Sequence, residues 1–280
     1  MNFRIALCTF FGLAILTLLS CREKCIDIEL VEPRAGDKYV LLEEFTGVRC
    51  VTCPQGAAEI ANLKSIYGKN LIPIAIHAGF FAVKYPNSRF DFKTAKGQSL
   101  HDWFGSPDGY PSAVIDRKVF PGEAGLHLGR NQWANYLAQQ LSIIPKVKLN
   151  IKTAYNDESR MLNIEVEVEA QEDISSDLRL TVLLKEDNMI DIQADVNAPG
   201  GLVPQYNHKY VLREILTNFD GNFLTNRMLF RDKVTRSFSF RIPEEDGWWK
   251  VQDIQVVAFV TEQISNQPGN VLNAFEKAIK

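Results

Sequence analysis

No glycine-rich phosphate loop and no internal repeat occur in the 280 residues, and basic residues do not outnumber acidic ones. Thirty-one Lys and Arg stand against 34 Asp and Glu, for a formal charge of −3 and a pI near 5.9. A phosphate-binding domain carries a basic excess or patch, so no nucleic-acid partner is expected. Four histidines, His77, His101, His127 and His208, lie scattered without an H-x-x-x-H pair, and there is no second C-x-x-C. Zinc usually takes four ligands, so neither a metal centre nor another cofactor is expected.

A membrane-spanning run is also lacking. The longest apolar stretch, Ile5 to Leu19, falls short of the ~20 residues a helix needs to cross a bilayer. With Arg4 ahead of it and Leu18-Leu19-Ser20 before Cys21, it has the form of an export signal over 1–20. The L-x-S-C pattern resembles the lipobox of bacterial lipoproteins, which implies lipidation of Cys21, anchorage in the membrane through that lipid, and a tether over 21–37. Export places the folded chain where disulfides form. Cys8 leaves with the signal, Cys21 carries lipid, Cys50 and Cys53 form one pair, and Cys25 is left as a buried or incidental thiol.

What is present centres on Tyr39 to Pro54, YVLLEEFTGVRCVTCP. An apolar run rich in strand formers leads through Thr46-Gly47 to Cys50 and Cys53, and Gln55 to Tyr67 puts Ala57, Ile60, Leu63 and Tyr67 on one helical face ahead of Gly68. Cys50 near a helix N-terminus and beside Arg49 is expected to be the more acidic and accessible thiol, with Cys53 shielded. Leu71 to His77 reads as a buried strand. Gly79 to Gly109 reads as a helical insertion packing its aromatics on the sheet, with an exposed aromatic substrate groove as the alternative. Tyr110-Pro111 precedes a strand over Ala113 to Asp116 and is a candidate cis peptide. Asn131 to Ile144 reads as a helix that Pro145 stops.

From Lys146 the hydrophobic period changes to two. Val147, Leu149 and Ile151 alternate with polar residues, as do Leu162, Ile164, Val166 and Val168, and Leu178 to Leu184, Thr235 to Ile242 and Ile254 to Val260 behave similarly. Antiparallel strands with one solvated face, in a sandwich of roughly seven, are the expectation. The acidic row Glu165, Glu167, Glu169 reads as a solvated strand face.

The order strand, C-x-x-C, helix, strand, insertion, Tyr-Pro, strand, helix resembles the thioredoxin fold. That resemblance implies an α/β thioredoxin-like domain over 38–144, followed by an all-β sandwich domain over 145–280. It also implies catalytic roles for Cys50 and Cys53, a proton relay at Glu44, and substrate docking by a cis Pro111. Arg49 and the Val51-Thr52 dipeptide depart from the usual pattern. EEFTGVRCVTCP after a lipobox, with a β-rich second half, also resembles the outer-membrane lipoprotein family named after a twenty-eight-kilodalton surface protein. That implies an outer-membrane location on the periplasmic or surface face. Two functions follow: an envelope thiol-disulfide oxidoreductase whose partners are protein thiols or disulfides, or an adhesin-like binding module in which Cys50-Cys53 is structural. Metal delivery through the two thiolates with His77 is a third.

Overall fold

The computed structural model describes residues 38–244, 248–263 and 267–280. The signal, the lipobox Cys21, the tether and Cys25 lie outside the described residues. The described residues form one compact unit.

Strand β1 (Val40–Thr46) is buried at every position and runs parallel to β2 (Leu71–His77), with Val40 opposite Leu71 and Thr46 opposite His77. Between them lies α1 (Cys53–Tyr67). Pro54 stands in its first turn, where a missing N–H costs no helical bond, and Gly68 ends it at φ +53°. The face it buries is Cys53, Gly56, Ile60 and Leu63, one step round from the expected stripe of Ala57, Ile60, Leu63 and Tyr67. The insertion contains α2 (Ala95–Phe104), started by Thr94, whose hydroxyl accepts from the Gly97 N–H. After the cis Tyr110–Pro111 peptide come β3 (Ser112–Ile115), antiparallel to β1, then β4 (Leu128–Gly129) and α3 (Trp133–Leu141).

Ten strands follow: β5 (Val147–Asn156), β6 (Met161–Ala170), β7 (Leu178–Glu186), β8 (Met189–Ala194), β9 (Leu202–His208), β10 (Val211–Ile215), β11 (Asn222–Thr225), β12 (Lys233–Arg241), β13 (Ile254–Glu262) and β14 (Val271–Ala278). They do not form a body of their own. One nine-stranded sheet runs β14-β13-β7-β10-β2-β1-β3-β4, with β11 also on β7, so strands from both sides of Pro145 share it. The junction is Val211 opposite Ala75, where the Ala75 N–H donates to Tyr210 O at 2.8 Å. Strands β12-β6-β5 form a second sheet, and β8-β9 a hairpin.

This overturns the expected fold class. The molecule is mostly β, built on mixed and antiparallel sheets, rather than an α/β thioredoxin-like domain followed by a sandwich. The sandwich element itself is present: β5 and β6 lay Val147, Leu149, Ile151, Leu162, Ile164 and Val166 on Leu180, Val182, Val256 and Ala258 of the large sheet. The opposite face of β7 and β13 carries Leu183, Val257 and Phe259 into a second core with Ile72, Ile74 and Leu100. Strands β7 and β13 are therefore buried on both faces, where alternation alone predicted one solvated face.

Candidate functional site

Beyond Thr46 the backbone of β1 turns through Gly47 into the cysteine loop. A Cβ at Gly47 would stand 2.3 Å from the Phe81 carbonyl, so only glycine allows the two segments to touch. The contact is used: Arg49 N–H donates to Phe81 O at 2.9 Å, its Nε to Val83 O at 2.7 Å and its Nη2 to Lys84 O at 3.0 Å, and its guanidinium lies 4.5 Å from the Tyr85 ring centre. Arg49 thus clamps the loop to the insertion. Thr52 Oγ1 donates to Tyr110 O at 2.9 Å, tying the loop to the residue before Pro111.

Cys50 and Cys53 form a disulfide with Cα atoms 5.4 Å apart. Neither cysteine is accessible: Cys50 is 2% exposed and Cys53 3%, against the expectation of an open Cys50. The cover is the β8-β9 hairpin. Gln193 Nε2 donates to Cys50 O at 3.0 Å and Gly47 O at 3.3 Å, Ala194 N–H donates to Val48 O at 2.8 Å, and Val196 N–H to Val51 O at 2.9 Å. Gln193 is itself buried, and its three amide bonds all go to backbone carbonyls. Sequence reasoning missed this flap. Its signal was the alternating MIDIQA run after Asp187-Asn188, with a second strand-like run ending at His208.

Glu44 lies beneath the loop beside Pro111. A Cβ on Gly56 would meet Glu44 Oε1 at 2.6 Å and Pro111 Cβ at 2.7 Å, so the glycine face of α1 is what lets carboxyl and proline pack together. The Glu44 Oε1 atom has no hydrogen-bond partner, and burial pushes this carboxyl up to about 8, so it is protonated at neutral pH. Glu44, Cys53, His77, Gln193, Tyr206 and His208 line one cavity of about 30 Å3. Burial holds His77 well below its ordinary value, reinforced by the neighbouring His208, and lowers His208 to about 4. Both imidazoles are neutral. The structure therefore places Cys50, Cys53, Glu44 and Pro111 in one neighbourhood, and adds Tyr206 and His208, which lay unassigned, and His77, which figured only in the metal-delivery reading.

Elsewhere the expected acidic row is accounted for: Glu165 pairs with Lys152, and Glu167 and Glu169 with Lys233. Among the described residues no group of three His, Cys, Asp or Glu stands ready to hold a metal ion. Nor is any described helix long and apolar enough to cross a membrane.

The fold defines a mostly β protein built on mixed and antiparallel sheets. Residues 98–280, more than half of the chain, match the family of the outer membrane protein Omp28, and the chain belongs to that family. The match contains Pro111 and the flap but begins after Cys50, Cys53 and Glu44. HBP35 of Porphyromonas gingivalis shares the fold at a TM-score of 0.68 and 22% identity, over 87% of this chain and 76% of that one. Protein AGR_C_4864 of Agrobacterium tumefaciens superposes at 0.53 and 9% identity, over 86% of this chain and 94% of the other. No curated protein matches this chain.

Proposed function

We propose that this chain is an outer-membrane surface lipoprotein, anchored through Cys21, that works as a binding module, with Cys50-Cys53 as a structural bond. The observation that carries this reading is the seal over the disulfide: both sulfurs are buried and the loop carbonyls on either side are bonded by the flap. A cysteine that attacks protein disulfides must meet its partner sulfur directly, and a 2% exposed Cys50 does not. Exposed apolar side chains flank the sealed loop instead. They are Val51 in the loop, Phe80 (81% exposed) and Val83 on the insertion side, and Val196 and Leu202 on the flap side. That rim is the candidate binding face.

The test is the redox behaviour of the folded protein. A structural bond has a potential below about −300 mV and resists thiol pools, and neither Cys50→Ser nor Cys53→Ser accumulates mixed disulfides in cells. Partner proteins trapped by Cys53→Ser would replace this reading with thiol-disulfide exchange. One observation favours that second reading: a protonated Glu44 shares a cavity with Cys53, where it could pass a proton to the departing sulfur once the flap opened. Anchorage is tested separately, since Cys21→Ala is expected to release the protein from the membrane fraction.

A further inference from the structure

Two groups of exposed apolar side chains stand at opposite ends of the fold. One is the rim around the cysteine loop. The other is Phe223, Leu229 and Phe230 (55% exposed), with Ile143 and Ile144 (85% exposed). This second group lies near Lys38, the residue that follows the 21–37 tether. Tyr39 N–H donates to Asn273 Oδ1 at 2.9 Å, Asn273 Nδ2 donates to Val147 O at 2.9 Å, and Val147 pairs with Ala170 across β5 and β6. Ala170 accepts from the Arg231 N–H and donates to Asp232 O, each at 2.9 Å, so Phe230 is only a few hydrogen bonds from Tyr39. Phe223 pairs with Arg179, Arg179 with Thr261, and Thr261 with Val271 at the start of β14, beside the same asparagine. Ile143 and Ile144 lead into Lys146, whose carbonyl accepts from the Gln171 N–H at 2.8 Å, next to Ala170. Strand β1 runs away from this end, and its seven residues put the cysteine loop roughly 20 Å further on.

The connection between β11 and β12 holds its apolar side chains outward. Leu229 N–H donates to Asp232 Oδ2 and Phe230 N–H to Asp173 Oδ1, both at 2.8 Å, and Met228 bonds Ile174 through both backbone groups. Those two acids are turned to the loop's own backbone. Arg227 and Arg231, on either side of Met228, Leu229 and Phe230, are exposed cations. Arg231 stands at φ +71°, a conformation that costs a residue with a side chain, and its guanidinium lies 5.1 Å from the Phe230 ring centre. Apolar side chains flanked by cations suit the boundary of a bilayer, where the first are buried against acyl chains and the second meet phosphate.

We propose that this end of the molecule is a membrane-docking face, which seats on the lipid leaflet that holds the Cys21 anchor. Leu229, Phe230 and Ile144 enter the headgroup boundary, and Arg227 and Arg231 meet its phosphates. The occupant follows from where the tether ends. An anchor joined to the fold at Lys38 brings this face to the lipid, and the rim around the cysteine loop then points away from the membrane, open to a partner. The inference rests on the membrane anchorage proposed above and gives it an orientation.

Tryptophan placed at each end is the test, read as a difference from the wild-type fluorescence. With the full chain on phosphatidylglycerol vesicles whose acyl chains are brominated, Phe230→Trp should be quenched and shifted to the blue, and Phe80→Trp at the rim should show neither change. The same pair is read on the Cys21→Ala chain mixed with these vesicles at low salt, where the face is expected to bind weakly without its lipid. There Arg227→Gln and Arg231→Gln should each lower partition onto the vesicles about fivefold. Quenching that is absent at Phe230→Trp, or equal at both positions, overturns the proposal. So does a blue shift at Phe230→Trp that needs no vesicles and comes with a doubled mass in sedimentation, because a second copy of the chain then covers the face. An unmodified Cys21 in the mass spectrum would sink the anchor alone, and the Cys21→Ala measurement would still decide the docking.

Discussion

Glu43 and Glu44 are neighbours in β1 whose carboxyl groups part to opposite faces of the sheet and meet opposite fates. Glu43 is gripped by Arg117, Nε to Oε2 at 2.9 Å and Nη2 to Oε1 at 2.7 Å, with both side chains 1% exposed. Glu44 has no cation and keeps its proton. The β-strand alternation that separates the two also separates a structural ion pair from a titratable group at the site.

Breaking the Glu43–Arg117 pair leaves a charge stranded in the core. Arg117→Ala is therefore expected to destabilise the fold by about 3–5 kcal/mol in denaturant titration. Removing the exposed Lys152 partner of Glu165 should produce no comparable shift of the midpoint. Equal effects would mean that the core pair is as solvated as the surface one.

Glu44 gives stability a pH dependence of definite sign. Its folded value is raised from 4.5 to about 8, so between those values the native state holds a proton that the unfolded chain has released. The contribution of the buried neutral acid is complete below pH 4.5, declines as pH rises through the neutral range and is lost above about pH 8. Glu44→Gln should flatten this decline, and unfolding curves recorded from pH 5 to pH 9 would show parallel slopes if the carboxyl were solvated instead.

The flap predicts the kinetics of disulfide reduction. Ala194→Pro removes the N–H that bonds Val48 O, and Gln193→Ala removes two bonds to the loop. Each hydrogen bond contributes about 1 kcal/mol, so Ala194→Pro should speed reduction of Cys50-Cys53 by a small dithiol at least about fivefold, and Gln193→Ala up to about thirtyfold. Reduction that is no faster than in the wild type would show that reductant reaches the sulfurs by another route.

Gly47→Ala places a methyl group against the Phe81 carbonyl. It should cost about 1–3 kcal/mol and loosen the Arg49 clamp, detectable as faster protease cleavage in the 79–94 segment. Gly109→Ala, where nothing lies within 4 Å, is the control and should leave cleavage unchanged.

Much of the candidate site was legible because its parts are local. Cys50, Cys53 and Glu44 fall within one strand-loop-helix passage, and Pro111 announces itself by standing directly before a strand. The β8-β9 flap was not legible, since nothing in MIDIQA says that its backbone will bond a loop more than a hundred residues earlier. His208 looked incidental for the same reason, and His77 figured only in the metal-delivery reading. They meet only through the fold. The strand periods correctly announced β5, β6, β7, β12 and β13, but a period reports which face is apolar and not which sheet a strand will join. That is why β10, a five-residue segment bearing Arg213 and Glu214, gave no sign of bridging β7 to β2.

The bridge at β10 bears on how the chain is made. An exported polypeptide emerges from its N-terminus, so β1 and β2 arrive long before Val211, the residue that closes onto Ala75. Until then the outer edge of β2, with Ile72, Ile74 and Ile76 on a face that later meets α2, Leu183 and Leu212, has no strand beside it. Pairings this distant in sequence close late and leave apolar strand edges open to other chains in the meantime. The edge of β2 therefore stays open to other chains until β10 has been delivered.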